Sequence, residues 1–138
     1  MTRSEAREHA FRILYEIQFR PDEDKREIAE IYMEVFPDEI VESGERDFIL
    51  REVLGTMEHV EELDQKIEGS LHGWSLKRLS KVDLAILRLA LYEIEFAEDI
   101  PDKVSINEAV ELAKKYSQDA AKGFINGVLA NFATSGKE

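Results

Sequence analysis

One segment in the second half of the chain is apolar on nearly every side of a helix. Its apolar residues occupy two helical faces: Val82, Ala85, Ile86, Leu89 and Ala90 on one, and Leu84, Leu87, Leu91 and Ile94 on the other. A helix that is hydrophobic all round lies either inside a protein or inside a membrane. The run from Val82 to Phe96 contains four charged residues and is too short to cross a bilayer. The segment therefore predicts the central helix of a helical bundle.

Helix-start and helix-stop signals divide the rest of the chain into further amphipathic helices. Capping-box spacing occurs at Thr2-x-x-Glu5 and at Ser105-x-x-Glu108, and Ser80-x-x-Asp83 is another N-cap signature. The expected helices run from Thr2 to before Pro21, from about Asp22 through Phe36 to Pro37, from Ser43 and Gly44 to about Gly69, from Ser80 to about Asp99, from Ser105 to Tyr116 and from Asp119 to Phe132, with a short helical turn at 75–79. Because no segment alternates like a strand, we expect an all-α fold of about seven helices.

Length, cysteine content and charge limit the class of protein. A chain of 138 residues with 43% hydrophobic residues can form one domain with its own core. It has no cysteine, and Met1 is followed by polar residues rather than an apolar signal core, so we expect a cytoplasmic protein. Residues 22–68 hold 17 of the 30 acidic residues and 5 of the 18 basic ones, a balance equal to the net charge of −12. This acidic stretch is either solubilising surface or an attraction for a basic partner, and it should face away from nucleic acid.

Recognisable catalytic machinery is missing from the sequence. His9, His59 and His72 are far apart and form no metal-ligand spacing. The chain contains neither a glycine-rich phosphate loop nor a nucleophile elbow. Acidic pairs such as Glu61 and Glu62 are more typical of a solvated helix face than of a glycosidase pair. We therefore expect a binding protein without cofactor or metal, not an enzyme.

Three ordered motifs in the second half of the chain resemble a known family. They read Trp74-x3-Arg78-x4-Asp83-x2-Ile86-Leu87-Arg88-x-Ala90-x-Tyr92-Glu93, then Pro101-x2-Val104-x-Ile106-Asn107-Glu108-Ala109-Val110-Glu111-Leu112-Ala113-Lys114, then Phe124-x-Asn126-Gly127-Val128-Leu129. The first helix adds the similar motif Ala6-Arg7-x2-Ala10-x3-Leu14-Tyr15. Through these motifs the chain resembles, from about residue 4 to 132, the NusB family of bacterial transcription antitermination factors.

The resemblance implies a fold and a set of partners. It implies two small helical bundles packed together, which we expect at about residues 1–72 and 73–135 of a single RNA-binding domain. Family members bind the boxA element of ribosomal RNA leader transcripts together with a small-subunit ribosomal protein, NusE. They help RNA polymerase, in an antitermination complex, to read through terminators, and no membrane is involved. Some relatives self-associate, so a homodimer is an open alternative.

Basic residues lie beside aromatic ones around the expected junction of the last two helices. These residues are Lys114, Lys115 and Tyr116 at the end of one helix and Lys122, Phe124 and Asn126 at the start of the next. Unpaired RNA bases stack on aromatic rings while Lys and Arg meet phosphates. The pattern predicts an RNA-binding loop, and the resemblance implies that Tyr116 and Phe124 are presented to boxA RNA. The alternatives are that both rings belong to the core and that Asn126 braces the helix pair.

Arg3 and Arg7 lie four residues apart, on one side of the first helix. They resemble what remains of the family's N-terminal arginine-rich segment, and many relatives carry more arginines there. We therefore expect weak RNA affinity for the protein alone, with the partner supplying much of it. The competing interpretation is a solvated helix face. If these arginines bind RNA, Arg7→Ala should weaken binding and leave thermal stability nearly intact.

A local basic excess also surrounds the start of the central helix. Residues 76–88 contain Lys77, Arg78, Lys81 and Arg88 against one acid, Asp83. The resemblance implies that Asp83 lies close to the RNA and NusE contact region, and we assign Asp83 and Lys81 to the partner-binding surface. The alternative role of Asp83 is to complete the helix cap with Ser80. Arg88, within an apolar helix, should pair with Glu93 or Asp83 or reach a ligand.

Two further functions stay open beside a boxA-binding antitermination factor. One is a helical protein-interaction module with little intrinsic RNA binding, which the low arginine content of the first helix would favour. The other is an auxiliary domain of an RNA methylation system, because the resemblance extends to a domain fused ahead of a methyltransferase in an RNA cytosine methylation enzyme. The first hypothesis predicts no tight RNA binding, and the second predicts a separate catalytic partner.

Overall fold

The computed structural model describes residues 1–35, 40, 42 and 44–134, and this part of the chain contains α-helices and no strand. The helices are α1 (Arg3–Ile17), α2 (Lys25–Val35), α3 (Arg46–Glu58), α4 (Val60–Gly69), a 3-10 helix (Leu76–Arg78), α5 (Lys81–Phe96), α6 (Asp102–Tyr116) and α7 (Ala121–Ala130). The all-α prediction is confirmed. The expected helix end at Phe36 and Pro37 and the expected helix start at Ser43 lie outside the described residues. No helix in the described ranges is long and apolar enough to cross a membrane.

The first compact unit, Met1–Glu58, is built on α1. The predicted capping box at its start is confirmed, because the Glu5 N–H donates to Thr2 Oγ1 at 3.1 Å and the Thr2 N–H donates to Glu5 Oε1 at 2.9 Å. These hydrogen bonds, the one from the Thr2 backbone first, lower the pKa of the Glu5 carboxyl. α1 packs against α2 and α3. The buried side chains of Ile13, Ile28 and Ile49 form the core between them.

The second compact unit, His59–Glu138, is organised around α5. This helix packs against α4, α6 and α7, and Leu87 and Leu91 are fully buried in it. The predicted cap at its start is confirmed, because Ser80 Oγ accepts a hydrogen bond from the Asp83 N–H at 3.0 Å. Within this unit, α5 is the central helix that its apolar composition predicts, since residues of both apolar faces, such as Ile86 and Leu91, are buried.

The division between the two units follows Glu58, whereas the expected boundary lay near residue 72. α4 belongs with the second unit because it packs on α5. Leu63 and Ile67 of α4 are fully buried. Burial of these two side chains requires a neighbouring apolar helix, and α5 supplies it.

The single long helix expected between Gly44 and Gly69 is two helices. α3 ends at Glu58, α4 begins at Val60, and His59 between them has φ −106° and ψ 14°, outside the helical range. The His59 ring stacks on the Phe96 ring of α5, with 3.8 Å between the ring centroids and 11° between the planes. No proline marks this break. A contact between residues distant in the chain accompanies it instead, and the local sequence pattern does not encode such a contact.

α6 begins one helical turn earlier than expected, so the predicted capping box at Ser105 and Glu108 is wrong. The helix starts at Asp102 with Pro101 as its N-cap, a region in which proline is tolerated because no helical N–H is lost. Ser105 consequently lies inside the helix. It is buried, and its hydroxyl donates to Oε1 of the buried Glu93 of α5 at 2.7 Å. The hydroxyl thus serves a buried carboxylate rather than a helix end.

The expected partners of Arg88, Glu93 and Asp83, are also wrong. The Arg88 guanidinium binds Asp64 of α4 through two hydrogen bonds, Nε to Oδ1 at 2.8 Å and Nη2 to Oδ2 at 2.7 Å. Asp64 lies on the neighbouring helix, where each of its two carboxylate oxygens accepts from one of these guanidinium nitrogens. The prediction that this arginine forms a structural ion pair is therefore confirmed, with a different carboxylate.

Candidate nucleic-acid interface

A groove of about 880 Å³ opens on the surface of the second unit. Its walls come from the turn before the 3-10 helix, that helix, the start of α5, the end of α6 and the start of α7. The apolar and aromatic lining residues include Leu71, Trp74, Leu79, Val82, Tyr116 and Phe124, and the polar ones include Arg78, Asp83, Ser117 and Gln118. Ligand sites commonly span about 300–1,000 Å³ and combine apolar walls with a few polar groups. The groove has the size and the composition of such a site.

The junction between α6 and α7 brings both predicted aromatic residues into this groove. α6 ends at Tyr116, and the Ser117 N–H closes it by donating to the Ala113 carbonyl at 2.9 Å. α7 begins at Ala121, and Phe124 follows in its first turn. Tyr116 is half-buried and Phe124 is 38% exposed. Neither ring is fully enclosed in the core, so each has a face or an edge to offer a ligand.

The predicted polar residues of this junction are exposed. Lys114 forms an ion pair with Glu111 at 3.2 Å, and the ammonium of Lys115 lies 5.5 Å from the centroid of the Tyr116 ring. Lys122 and Asn126 are exposed on α7. Lys114, Lys122 and Asn126 do not belong to the groove lining. An exposed ion pair such as Lys114 with Glu111 is weak, so a phosphate can compete for the lysine.

Asp83 joins two walls of the groove. The Ser117 hydroxyl at the end of α6 donates to Asp83 Oδ1 at 2.6 Å, while the Asp83 N–H donates to Ser80 Oγ. The residue is therefore part of the helix cap and of the groove lining at once, and the two interpretations of it are compatible. Lys81, the first residue of α5, is exposed beside it in the sequence.

Sequence reasoning did not assign Trp74 and Arg78 to the site, although both line the groove. Trp74 is 56% exposed, and the guanidinium carbon of Arg78 lies 5.6 Å from the centroid of its ring. The signal that could have found them is the same one used at the α6–α7 junction, a basic residue close to an aromatic one. Here Lys77 and Arg78 follow the tryptophan within four residues.

Arg3 and Arg7 are engaged within the first unit. Arg3 Nε lies 2.9 Å from Glu45 Oε2, and the Arg3 guanidinium carbon lies 4.0 Å from the centroid of the Phe48 ring. The Arg7 guanidinium carbon lies 5.5 Å from the same centroid. Arg3 keeps an exposed side chain, whereas Arg7 is only 4% exposed. Arg3 thus has surface for a phosphate, and Arg7 belongs to the packing around Phe48 rather than to a solvated helix face.

A metal site does not emerge from the described ranges. Within them, no three histidine, aspartate or glutamate side chains are grouped so that they could hold a metal ion. What the groove offers instead is aromatic surface, hydrogen-bonding groups and nearby cations. This combination is typical of sites for unpaired nucleotides.

Comparisons with known proteins agree on one family. The model described as the NusB family matches residues 4–134. A relative from Agathobacter rectalis, a transcription antitermination protein NusB, is 51% identical over 135 residues, which span 96% of this chain and all of the relative. The solved structure of NusB from T. maritima has a TM-score of 0.88 at 36% identity, and covers 100% of this chain and 94% of that one. A structure of the antitermination factors NusB and NusE in complex with double-stranded RNA has a TM-score of 0.82 at 30% identity, with 96% and 97% of the two chains covered.

Proposed function

This chain belongs to the NusB family, and from that premise we propose that it is a transcription antitermination factor that binds boxA-containing RNA of ribosomal RNA operon transcripts together with NusE. The observation that carries the proposal is the 51% identity, along nearly all of both chains, to a transcription antitermination protein NusB. The similarity to NusB solved with NusE and RNA supports both classes of partner. The protein acts by binding within the RNA polymerase antitermination complex, without turning over a substrate.

In this function, the groove of the second unit receives unpaired RNA bases. Tyr116 and Phe124 provide aromatic surface, and Asn126 provides an amide for hydrogen bonds to a base edge or the backbone. Lys114 and Lys122 meet phosphates near the groove. The exposure of Lys114, Lys122, Phe124 and Asn126, and the position of the Tyr116 and Phe124 rings in one groove, support this assignment.

The first unit contributes through α1. Arg3 meets a phosphate. Arg7 packs on the Phe48 ring, over which the Arg3 guanidinium also lies, and so supports the site without contacting RNA. Because only one of the two guanidinium groups is exposed, the contribution of α1 to RNA affinity is small. This agrees with an RNA complex whose stability depends on the protein partner.

NusE contacts are assigned to the start of α5. Lys81 is exposed there, and Asp83 carries a carboxylate that can accept hydrogen bonds beyond the one from Ser117. A carboxylate at this position favours a basic protein partner such as a ribosomal protein. The negative charge of the acidic stretch between residues 22 and 68 adds a long-range attraction for a basic protein partner.

The test is the affinity for boxA RNA with and without NusE. Fluorescence anisotropy of a labelled boxA RNA is measured at fixed ionic strength with the chain, with NusE and with both, and a scrambled RNA of equal length is the control. We expect the two proteins together to bind boxA RNA more tightly than either alone and more tightly than the scrambled RNA. Equal affinity for both RNAs in the presence of NusE would contradict the proposal.

The same titrations separate the other candidate functions. A protein-interaction module would bind NusE without increasing RNA affinity. An auxiliary domain of an RNA methylation system would co-purify with a methyltransferase instead of NusE. Sedimentation of the free protein tests for a homodimer, and added boxA RNA and NusE should dissociate one that uses the same surface.

A further inference from the structure

We propose that Trp74, backed by Arg78, stacks an unpaired RNA base in the groove that Tyr116 and Phe124 also line. The inference rests on the proposed RNA-binding function and adds a recognition element to it. It gives the groove aromatic surface from two separate parts of the second unit, the turn before α5 and the junction between α6 and α7.

The exposure of Trp74 is the first observation. Its side chain is 56% exposed although it lines the groove together with Leu71, Leu79 and Val82. Tryptophan is a large side chain that is highly buried on average, and leaving it in water forfeits the burial of a large apolar surface. An exposed indole at the edge of an apolar groove is therefore well suited to cover a flat aromatic ligand.

The backbone that carries Trp74 is constrained. The preceding residues, His72 and Gly73, have positive φ angles of 50° and 93°, and the Trp74 N–H donates to the Leu71 carbonyl at 3.3 Å. Two consecutive residues with positive φ, closed by such a hydrogen bond, form a tight turn, and glycine adopts a positive φ without strain. Two residues further on, the Leu76 N–H donates to Glu68 Oε2 at 2.8 Å. The backbone of the turn is anchored on both sides, so the point from which the indole extends is fixed before a ligand arrives.

Arg78 supplies the charge that selects the occupant. Its guanidinium lies 5.6 Å from the indole centroid, within the range of a cation–π contact. Near it in the sequence, Lys77 and Lys81 add two more basic side chains, against the single acid Asp83. A nucleic acid presents a base to the indole and a phosphate to the guanidinium, so RNA uses both features of this part of the groove at once. The observations therefore favour RNA over a protein segment at this part of the groove.

Stacking predicts a particular pattern of affinities. Every base has a π-face, so an aromatic platform contributes to binding with little dependence on sequence. Trp74→Ala should weaken binding of boxA RNA, and of a scrambled single strand, by similar factors of about 5-fold to 150-fold, the range for loss of one base–aromatic stack. Trp74→Phe should restore most of the affinity. Arg78→Ala should weaken binding and reduce its salt dependence, while Arg78→Lys should restore the salt dependence.

Trp74 is the one tryptophan in the sequence, which makes the proposal directly measurable. RNA is titrated into the wild-type chain, and into its complex with a tryptophan-free NusE, while tryptophan emission and RNA anisotropy are followed together. We expect RNA to quench Trp74 emission and to protect the ring from acrylamide, with the same midpoint as the anisotropy change. Phe19→Ala, which removes a similarly exposed ring from the first unit, is the matched control. In the absence of NusE, this variant should bind RNA with the affinity of the wild type.

The outcomes separate this inference from the proposed function. If RNA binds by anisotropy while Trp74 emission and the affinity of Trp74→Ala are unchanged, the stacking proposal is overturned and the function stands. If NusE alone changes the emission and RNA adds nothing, the groove edge is a protein contact and the proposal is likewise overturned. If neither protein combination binds boxA RNA, the proposed function fails, and the stacking proposal fails with it.

Discussion

Arg88 and Asp64 form a two-point ion pair that fastens α4 to the central helix α5. Both side chains are largely removed from solvent, the arginine at 14% and the aspartate at 24% exposure. A planar guanidinium facing a carboxylate through two hydrogen bonds is stronger and more directional than a single contact. The pair explains how an arginine is accommodated in a helix whose other side chains are mostly apolar.

We predict that Asp64→Ala lowers the free energy of unfolding by about 1.5–3 kcal/mol, the range for hydrogen bonds to charged groups, because it leaves the Arg88 guanidinium without its carboxylate. Urea denaturation measures the change. Glu95→Ala is the control, because it removes the more exposed ion pair with Lys66 and should cost less than about 1 kcal/mol. Equal losses in the two variants would show that the geometry of the Arg88 pair adds nothing.

Arg7→Ala should destabilise the first unit, in contrast to the sequence-based expectation of nearly intact thermal stability. The side chain is 4% exposed and packs near Phe48, so its removal leaves a poorly filled space. We expect a loss of about 1–3 kcal/mol, as for typical buried-site substitutions. Differential scanning calorimetry provides the measurement, with Arg26→Ala as the exposed control. An unchanged melting temperature for Arg7→Ala would mean that this arginine has no structural role.

Phe124→Ala should affect RNA binding more than stability. More than a third of the ring is exposed, so the variant should lose less than the roughly 3–5 kcal/mol typical of a fully buried phenylalanine. Phe11→Ala, which removes a buried ring of α1, sets the scale for that larger loss. RNA affinity of Phe124→Ala should fall by about 1–3 kcal/mol, the contribution of one base–aromatic stack. Normal RNA affinity combined with a large loss of stability would return Phe124 to the core.

Lys122→Ala should weaken RNA binding and lower its salt dependence. One lost phosphate contact reduces the slope of log affinity against log salt by about 0.7 for a single strand. Because Lys122 is exposed on α7, thermal stability should change by less than about 0.5 kcal/mol. Lys103→Ala is the matched control, since this exposed lysine lies near the opposite end of α6 from Tyr116. The same reduction in slope for both variants would point to net charge rather than a phosphate contact.

Much of the candidate site could be anticipated from local sequence. The basic and aromatic residues around the α6–α7 junction are near one another in the chain, so helical spacing alone brings Tyr116 and Phe124 to neighbouring helix ends. Trp74 and Arg78 were missed because their membership of the same groove depends on how the turn before α5 folds against α6 and α7. The burial of Arg7 was missed for a similar reason, since the period of α1 indicates a helix side but not the depth at which Phe48 meets it.

The sequence by itself determined the all-α class, most of the helices, the caps at Thr2 and Ser80, and the central position of α5 within its unit. These features depend on residues within one or two helical turns, where the spacing of residues in the sequence fixes which side chains lie next to one another. Tertiary structure alone decided the partner of Arg88, 24 residues away, the helix break beside His59, and the burial of Ser105 against Glu93. Each of these depends on which helix packs against the residue in question. The residues next to it in the sequence do not specify that helix.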